Sequence, residues 1–313
     1  MSTFAPDAAR LPVRAVSQVR GAVAGGFRRI ITGDPTGAPD WVRALADGSD
    51  IGYFGPGSAA WAVHGSLPTL VGGIRALIMQ ALHPGALAGV MQHSRYEADA
   101  LGRLAGTTQW LTVVTFGDRA AAERECARVR GMHRKVQGVY ESNTGPMTYS
   151  AGDQDLLRWV HIAFTDSFLA THRQWGPPIP GGENAYVREW AVAGELVGLD
   201  DPPRSVAELR EQIASYDPVL RGDENARRIV QFVREMPMPL PAAPAYSALF
   251  AGAVSTLPDS HRELLGLPKL PVTITRPVVG ALLGTLGLAL GPQSPSMRAA
   301  FERVDRLADT PFA

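Results

Sequence analysis

Seven histidines are spread through the chain, at His64, His83, His93, His133, His161, His172 and His261, and two of them fall on inward faces of helix-like stretches. Read from Asp118, a suitable N-cap, the run DRAAAERECARVRGMHRKVQGVY sets Ala122, Cys126, Val129, His133, Val136, Gln137 and Tyr140 on one stripe at helical spacing. Glu123, Arg124, Arg128, Arg130, Arg134 and Lys135 form the opposite, charged stripe. His133 is thereby carried inward among apolar neighbours, where a ring nitrogen without a partner costs about 1–3 kcal/mol. Such an imidazole is either hydrogen-bonded in the core or ligates a metal or haem iron, and helix pattern leaves both readings open. In DLLRWVHIAFTDSFLATHRQW, Leu157, His161, Phe164 and Phe168 share one face, so a second histidine points into the core.

Other reactive groups narrow the chemistry. Arg103 sits with Thr107 and Thr108 in the apolar run from Leu101 to Phe116, either in an ion pair with Glu97 or Asp99 or as a clamp on a carboxylate. Cys126 is the single cysteine, which excludes an internal disulfide framework, and the lack of C-x-x-C-H means that any haem is held noncovalently. Cys126 itself reads as a buried structural thiol or as a competing axial thiolate. Neither H-E-x-x-H nor the Glu-x-x-His pairs of di-iron bundles occur, nor do G-x-S-x-G, a phosphate loop or a dinucleotide fingerprint. Lys+Arg 30 balances Asp+Glu 30, which leaves no electrostatic footprint for nucleic acid. A noncovalent haem fits what remains: one axial imidazole, apolar walls, and cationic or hydroxyl groups for the propionates.

The elements that must position these groups read as helices almost throughout. Alternating apolar and polar residues are scarce, and 45% hydrophobic residues against 19% charged can bury a substantial core in 313 residues. The expectation is an all-α fold, a single large multi-helical domain over 41–313 with a buried, mostly apolar haem or ligand pocket, preceded by an N-terminal helical arm over 1–40. SLPTLVGGIRALIMQALHPGALAGVMQHS carries no charge but Arg75 and reads as two buried helices divided at His83-Pro84, lining a greasy cavity, covered by other helices or touching lipid. ESNTGPMTYSAGD reads as a turn-rich loop, and amphipathic helices follow over 186–199, 205–216 and 225–235. MPMPLPAAPA reads as a rigid connector. RPVVGALLGTLGLALGP, apolar for only about 14 residues and interrupted by glycines, reads as a buried core helix. No stretch reaches the roughly 18 to 20 unbroken apolar residues of a spanning helix, and the arginine-rich start reads as a mature cytoplasmic one. Peripheral membrane contact stays open.

In this order, ALHPGALAGV, GRLAGTT, FGDRAAAERECARVRGMHRKVQG and YSAGDQDLLRWVHIAFTDS resemble the family that groups bacterial rubber oxygenases (latex-clearing proteins) with the fungal oxygenase MpaB. The resemblance covers most of the chain and is strongest over 74–175. It implies an all-α fold and a b-type haem that activates dioxygen to cleave an isoprenoid C=C bond. It also implies that His133, in V-R-x-x-H, is the proximal iron ligand, and that Arg103 and Thr107, in R-L-x-x-T, flank the distal side. There Arg103 or Thr107 would polarise dioxygen. His161, in W-V-H, is implied to lie near the pocket in a supporting role, and His83 is a candidate for the pocket or for a cap at the helix junction. Rubber oxygenases carry a lysine just before the threonine; here that position is Gly106, so the lysine gate is absent and rubber itself is not the implied substrate. Glu97 and Asp99 are nearby candidates for a base. The expected function is therefore a haem b-dependent oxygenase acting with dioxygen on a hydrophobic small molecule. Its rivals are a noncatalytic carrier of lipophilic ligands and a haem carrier or sensor.

Overall fold

Helical spacing of apolar residues is realised nearly end to end. The computed structural model describes residues 21, 24–26, 28–29, 32–93, 100–142, 144–238 and 242–309, with the side chains of Ala100, Leu101 and Arg103 excluded, so most of the expected arm lies outside the described residues. Helix α1 (Asp40–Arg43) runs into a short 3-10 turn, Ala44–Ala46. Next, α2 (Ala59–His64) starts at Ser58, whose hydroxyl accepts the Trp61 N–H. Helices α3 (Thr69–Gln80) and α4 (Pro84–His93) meet at an angle of 102°, and the divide at His83-Pro84 is the one expected. His83 makes that corner: its Nδ1 accepts the N–H groups of Gly85 (3.1 Å) and Ala86 (3.4 Å), which leaves Nε2–H to donate to Asp155 at 3.2 Å. Both ring nitrogens are committed, so His83 is the cap of α4 rather than a pocket group.

The next two helices, α5 (Ala100–Phe116) and α6 (Arg119–His133), form a packed hairpin across Gly117-Asp118, with Asp118 accepting the Ala121 N–H at 2.8 Å. Beyond His133 the expected helix to Tyr140 does not continue. Instead β1 (Gln137–Ser142) and β2 (Gly145–Ser150) pair antiparallel, Tyr140 opposite Met147, and the segment expected as a loop supplies the second strand. The hairpin packs against α4, and Gly138 leaves room for the Gln92 side chain: a Cβ there would lie 2.3 Å from its Oε1. Gln92 then donates to the Val139 carbonyl and accepts from the Tyr149 hydroxyl, both at 2.9 Å.

The long helix α7 (Gln154–Trp175) runs through the centre against α3, where Gly72 admits Phe168: a Cβ there would fall 2.6 Å from the Phe168 ring. Helices α8 (Glu183–Leu196), α9 (Val206–Ser215) and α10 (Glu224–Arg234) follow close to the expected positions, and α11 (Ala243–Ser255) resumes after the proline-rich connector. Then come α12 (Asp259–Leu264), α13 (Val272–Leu290) and α14 (Pro295–Ala308). The fold is all-α, with one two-stranded hairpin among the described residues. Its core gathers Ile78, Met79, Trp159, Phe168, Tyr186 and Trp190 from α3, α7 and α8.

Helix α13 overturns the reading of a short buried element. It spans 19 residues, of which Thr275, Val279 and Leu283 are buried, while Ile274, Val278 and Leu288 are 65%, 55% and 78% exposed. Treating Gly280, Gly284 and Gly287 as breaks shortened it on paper; glycine lowers helix propensity by only about 1 kcal/mol and does not stop a helix.

Candidate functional site

The apolar stripe of α6 positions His133. Ala122 and Cys126 are fully buried, Val129 and His133 are half-buried, and Arg134 beyond them turns outward. The helix is pinned at both ends. Buried Arg303 donates to the carbonyls of Leu45 (2.5 Å) and Phe116 (2.6 Å), closing α5 just before the hairpin turn, and Arg130 donates to the Leu196 carbonyl at the end of α8. His133 is the last residue of α6; its Nδ1 is buried without a hydrogen-bond partner, and burial holds its pKa below the ordinary histidine value. A neutral imidazole with an unsatisfied nitrogen is the form in which histidine ligates metals.

Arg103 and Thr107 lie on α5, which packs against α6, with Thr107 about one turn nearer the connection between the two helices. Thr107 is half-buried, whereas the Arg103 side chain, Glu97 and Asp99 lie outside the described residues. Beside Thr107, a Cβ built on Gly106 would meet no described atom within 4 Å.

His161 sits on α7, 6% exposed, with Nε2 buried and unpartnered, and burial lowers its pKa to about 4. Its ring lies against α8 at Gly194, where a Cβ would stand 3.1 Å from both Cε1 and Nδ1. Gly194→Ala is accordingly expected to overpack this contact and destabilise the fold by about 1–3 kcal/mol, measured by urea unfolding. An unchanged unfolding midpoint would mean that the ring has room to move.

Three aromatic groups of the same region escaped notice in the sequence. His64, at the end of α2, has Nε2 3.3 Å from the Tyr186 hydroxyl and an unpartnered Nδ1, and burial takes its pKa to about 3. It packs on Trp190 at 4.2 Å and Phe168 at 4.8 Å between ring centroids, and Trp190 in turn meets Trp110 at 6.0 Å. The indole nitrogens of Trp110 and Trp190 also lack partners. The available signal was the placing of indole and imidazole rings in nearly charge-free runs, WAVH at Trp61–His64 and TTQWLTVV around Trp110. Burial pushes the Cys126 thiol up to about 11, so at neutral pH it is a thiol and not a thiolate ligand. Among the described residues, no three or more His, Cys, Asp or Glu side chains cluster as ligands for a metal ion.

Residues 61–288 match the family described as ER-bound oxygenase mpaB/B'/rubber oxygenase, catalytic domain. The chain belongs to this family. It is an oxygenase catalytic domain, and hence an enzyme. The match runs from Trp61 in α2 into the last turn of α13, so it takes in α5, α6, α7 and α8. No curated protein and no solved structure gave a match.

Proposed function

We propose that this MpaB/rubber-oxygenase member is a haem b-dependent oxygenase of hydrophobic small molecules, and that His133 would ligate the haem iron. One observation supports the reading: in an oxygenase catalytic domain, the last residue of α6 is an imidazole kept neutral by burial, with a buried, unpartnered ring nitrogen. When bound, haem supplies the redox chemistry that activates dioxygen, including oxidative cleavage of a C=C bond to carbonyl products.

The chain's own residues have separable tasks. His133, at the end of a helix tied to α8 by Arg130, would ligate the iron. Arg103, charged at all accessible pH, and the Thr107 hydroxyl supply a cation and a hydrogen-bond donor on the facing helix, suited to a propionate or to polarising dioxygen. His161, kept neutral by burial, braces the far wall against Gly194 and accepts or donates one hydrogen bond without adding charge. Nearly charge-free α3 and α4 provide the apolar surface for an alkene or another lipophilic substrate. Gly106 leaves the distal side without a lysine. Dioxygen and this lipophile are the proposed partners, nucleic acid is not, and a cytoplasmic location with peripheral membrane contact completes the proposal.

The visible spectrum of protein produced with ample haem tests it. A Soret band with iron near one per chain, and dioxygen consumption on adding lipophilic alkenes, are the expected results. Protein without porphyrin under those conditions would overturn the haem reading in favour of a different oxygenase chemistry, and haem without turnover would favour a carrier or sensor.

A further inference from the structure

On α5 the usual division into a buried and an exposed face is missing. Every residue from Leu104 to Thr112 is half-buried, whereas α6 beside it alternates buried Ala122 and Cys126 with exposed Arg124 and Arg128. That stretch of α5 is neither packed on one side nor solvated on the other, so space runs along it. Helical spacing sets Arg103, Gly106, Thr107 and Trp110 on one side of the helix. Trp110 fixes which side that is: its ring meets Phe164 of α7 at 6.3 Å and Trp190 of α8 at 6.0 Å between centroids, both edge-on, and both of those rings are buried. The side therefore faces the core. Yet Trp110 itself is only half-buried, with its Nε1 closed off, so part of an inward-pointing ring borders open space. One turn earlier, a Cβ on Gly106 would meet no described atom within 4 Å. The opening beside Gly106 thus ends at the Trp110 indole.

We infer that Trp110 is the end wall of a cleft along α5 and that Gly106 keeps the approach to it open, so that these two residues set the length of lipophilic chain the enzyme accepts. The inference rests on the proposed action on a hydrophobic small molecule and narrows that molecule to one with an extended hydrocarbon chain. Each methylene entering an apolar site adds affinity until the chain meets a ring that cannot move aside. Trp110 is held in this way, because Phe164 and Trp190 back it, and Phe168 and His64 stand behind those two at 5.6 Å and 4.2 Å between centroids. Gly106 contributes a missing side chain. It lies within a helix and outside the left-handed region, so its backbone conformation does not call for glycine, and glycine inside a helix is less stable than alanine. Any side chain there would project into the cleft on the side of Trp110.

The intact chain is titrated calorimetrically with 1-alkanols of increasing length, about six to about twelve carbons, and an absorption spectrum of each sample records its haem content. For the wild type, affinity is expected to rise about fourfold with each added methylene up to a definite length and then to stop rising. Trp110→Ala is expected to move that limit by about two carbons or more toward longer chains, and Gly106→Leu to move it toward shorter ones. Shifts in opposite directions are what a merely structural role would not give. Gly106→Leu carries the test alone if Trp110→Ala does not fold, because leucine is a better helix former than glycine. Protein without porphyrin that keeps the length limit would sink the haem reading and leave this inference standing. Four results overturn the inference: a wild type that binds no alkanol or shows no limit, a limit that neither variant moves, variants that weaken every alkanol in the same proportion, or a Soret shift in both variants with the limit unmoved, which gives the space to the porphyrin.

Discussion

His133→Ala is expected to leave a folded chain that binds no haem and turns over no substrate. The imidazole is half-buried at the last residue of α6, and its Nδ1 has no hydrogen bond to lose. Removing it therefore deletes an unsatisfied nitrogen and a partly packed ring, and the change in stability is expected to stay within about 1 kcal/mol. Function should respond very differently. Groups that merely orient a metal ligand cost about 10–100-fold in affinity or activity when removed, so loss of the ligand itself is expected to exceed that range. Far-UV circular dichroism, the Soret absorbance and dioxygen consumption of wild type and variant, prepared in parallel with ample haem, make the comparison. His161→Ala is the companion variant: it is expected to keep the Soret band while shifting its position. A His133→Ala protein that retains haem at the wild-type level would move the ligand to another imidazole, with His161 the first to examine.

Helices with one apolar stripe and a polar cap were legible residue by residue. Asp118, Ser205 and Asp223 each accept a first-turn N–H, and α6, α9 and α10 begin where those residue types allow. The inward course of α6 was legible for the same reason, as was the division at His83-Pro84. The sequence could not show where tertiary contact overrides local pattern. The helical-looking run at Gln137–Ser142 is instead a strand paired with Gly145–Ser150 and packed on α4, where Gln92, 46 positions before Gly138, bonds to the Val139 carbonyl. Nor does an apolar helix announce which surface will cover it: α3 and α13 have similar compositions, but Ile78 and Met79 in the first are fully buried and Leu288 in the second is 78% exposed. His64, Trp110 and Trp190 were illegible as a group because they come from α2, α5 and α8, and only the packed structure brings their rings together.

The charge in α3 has a similar logic and a large expected effect. Arg75 is 1% exposed within an otherwise uncharged helix, and a lone guanidinium could not stay there. It donates to Asp166 at 2.6 Å and Ser167 at 2.8 Å on α7, and its Nε donates to the Thr256 carbonyl at 3.2 Å, just past α11. One side chain thus ties three helices together beneath the apolar surface assigned to substrate. Arg75→Met keeps the aliphatic volume but strands the Asp166 carboxylate, whose side chain is 18% exposed. The expected cost is about 3–5 kcal/mol, the range for removing one partner of a buried pair. Arg75→Met combined with Asp166→Leu is expected to recover much of that loss, because the penalty comes from the unpaired charge rather than from the absence of the bond. Urea unfolding of the four proteins in a double-mutant cycle measures both effects. Additive losses would mean that the two groups do not depend on each other; a coupling near the size of the single loss would mean that the pair joins α3 to α7 as one unit. In the second case the single variants should also loosen the apolar surface of α3 and weaken lipophile binding, with the Soret band unchanged, since neither residue lies on α5 or α6.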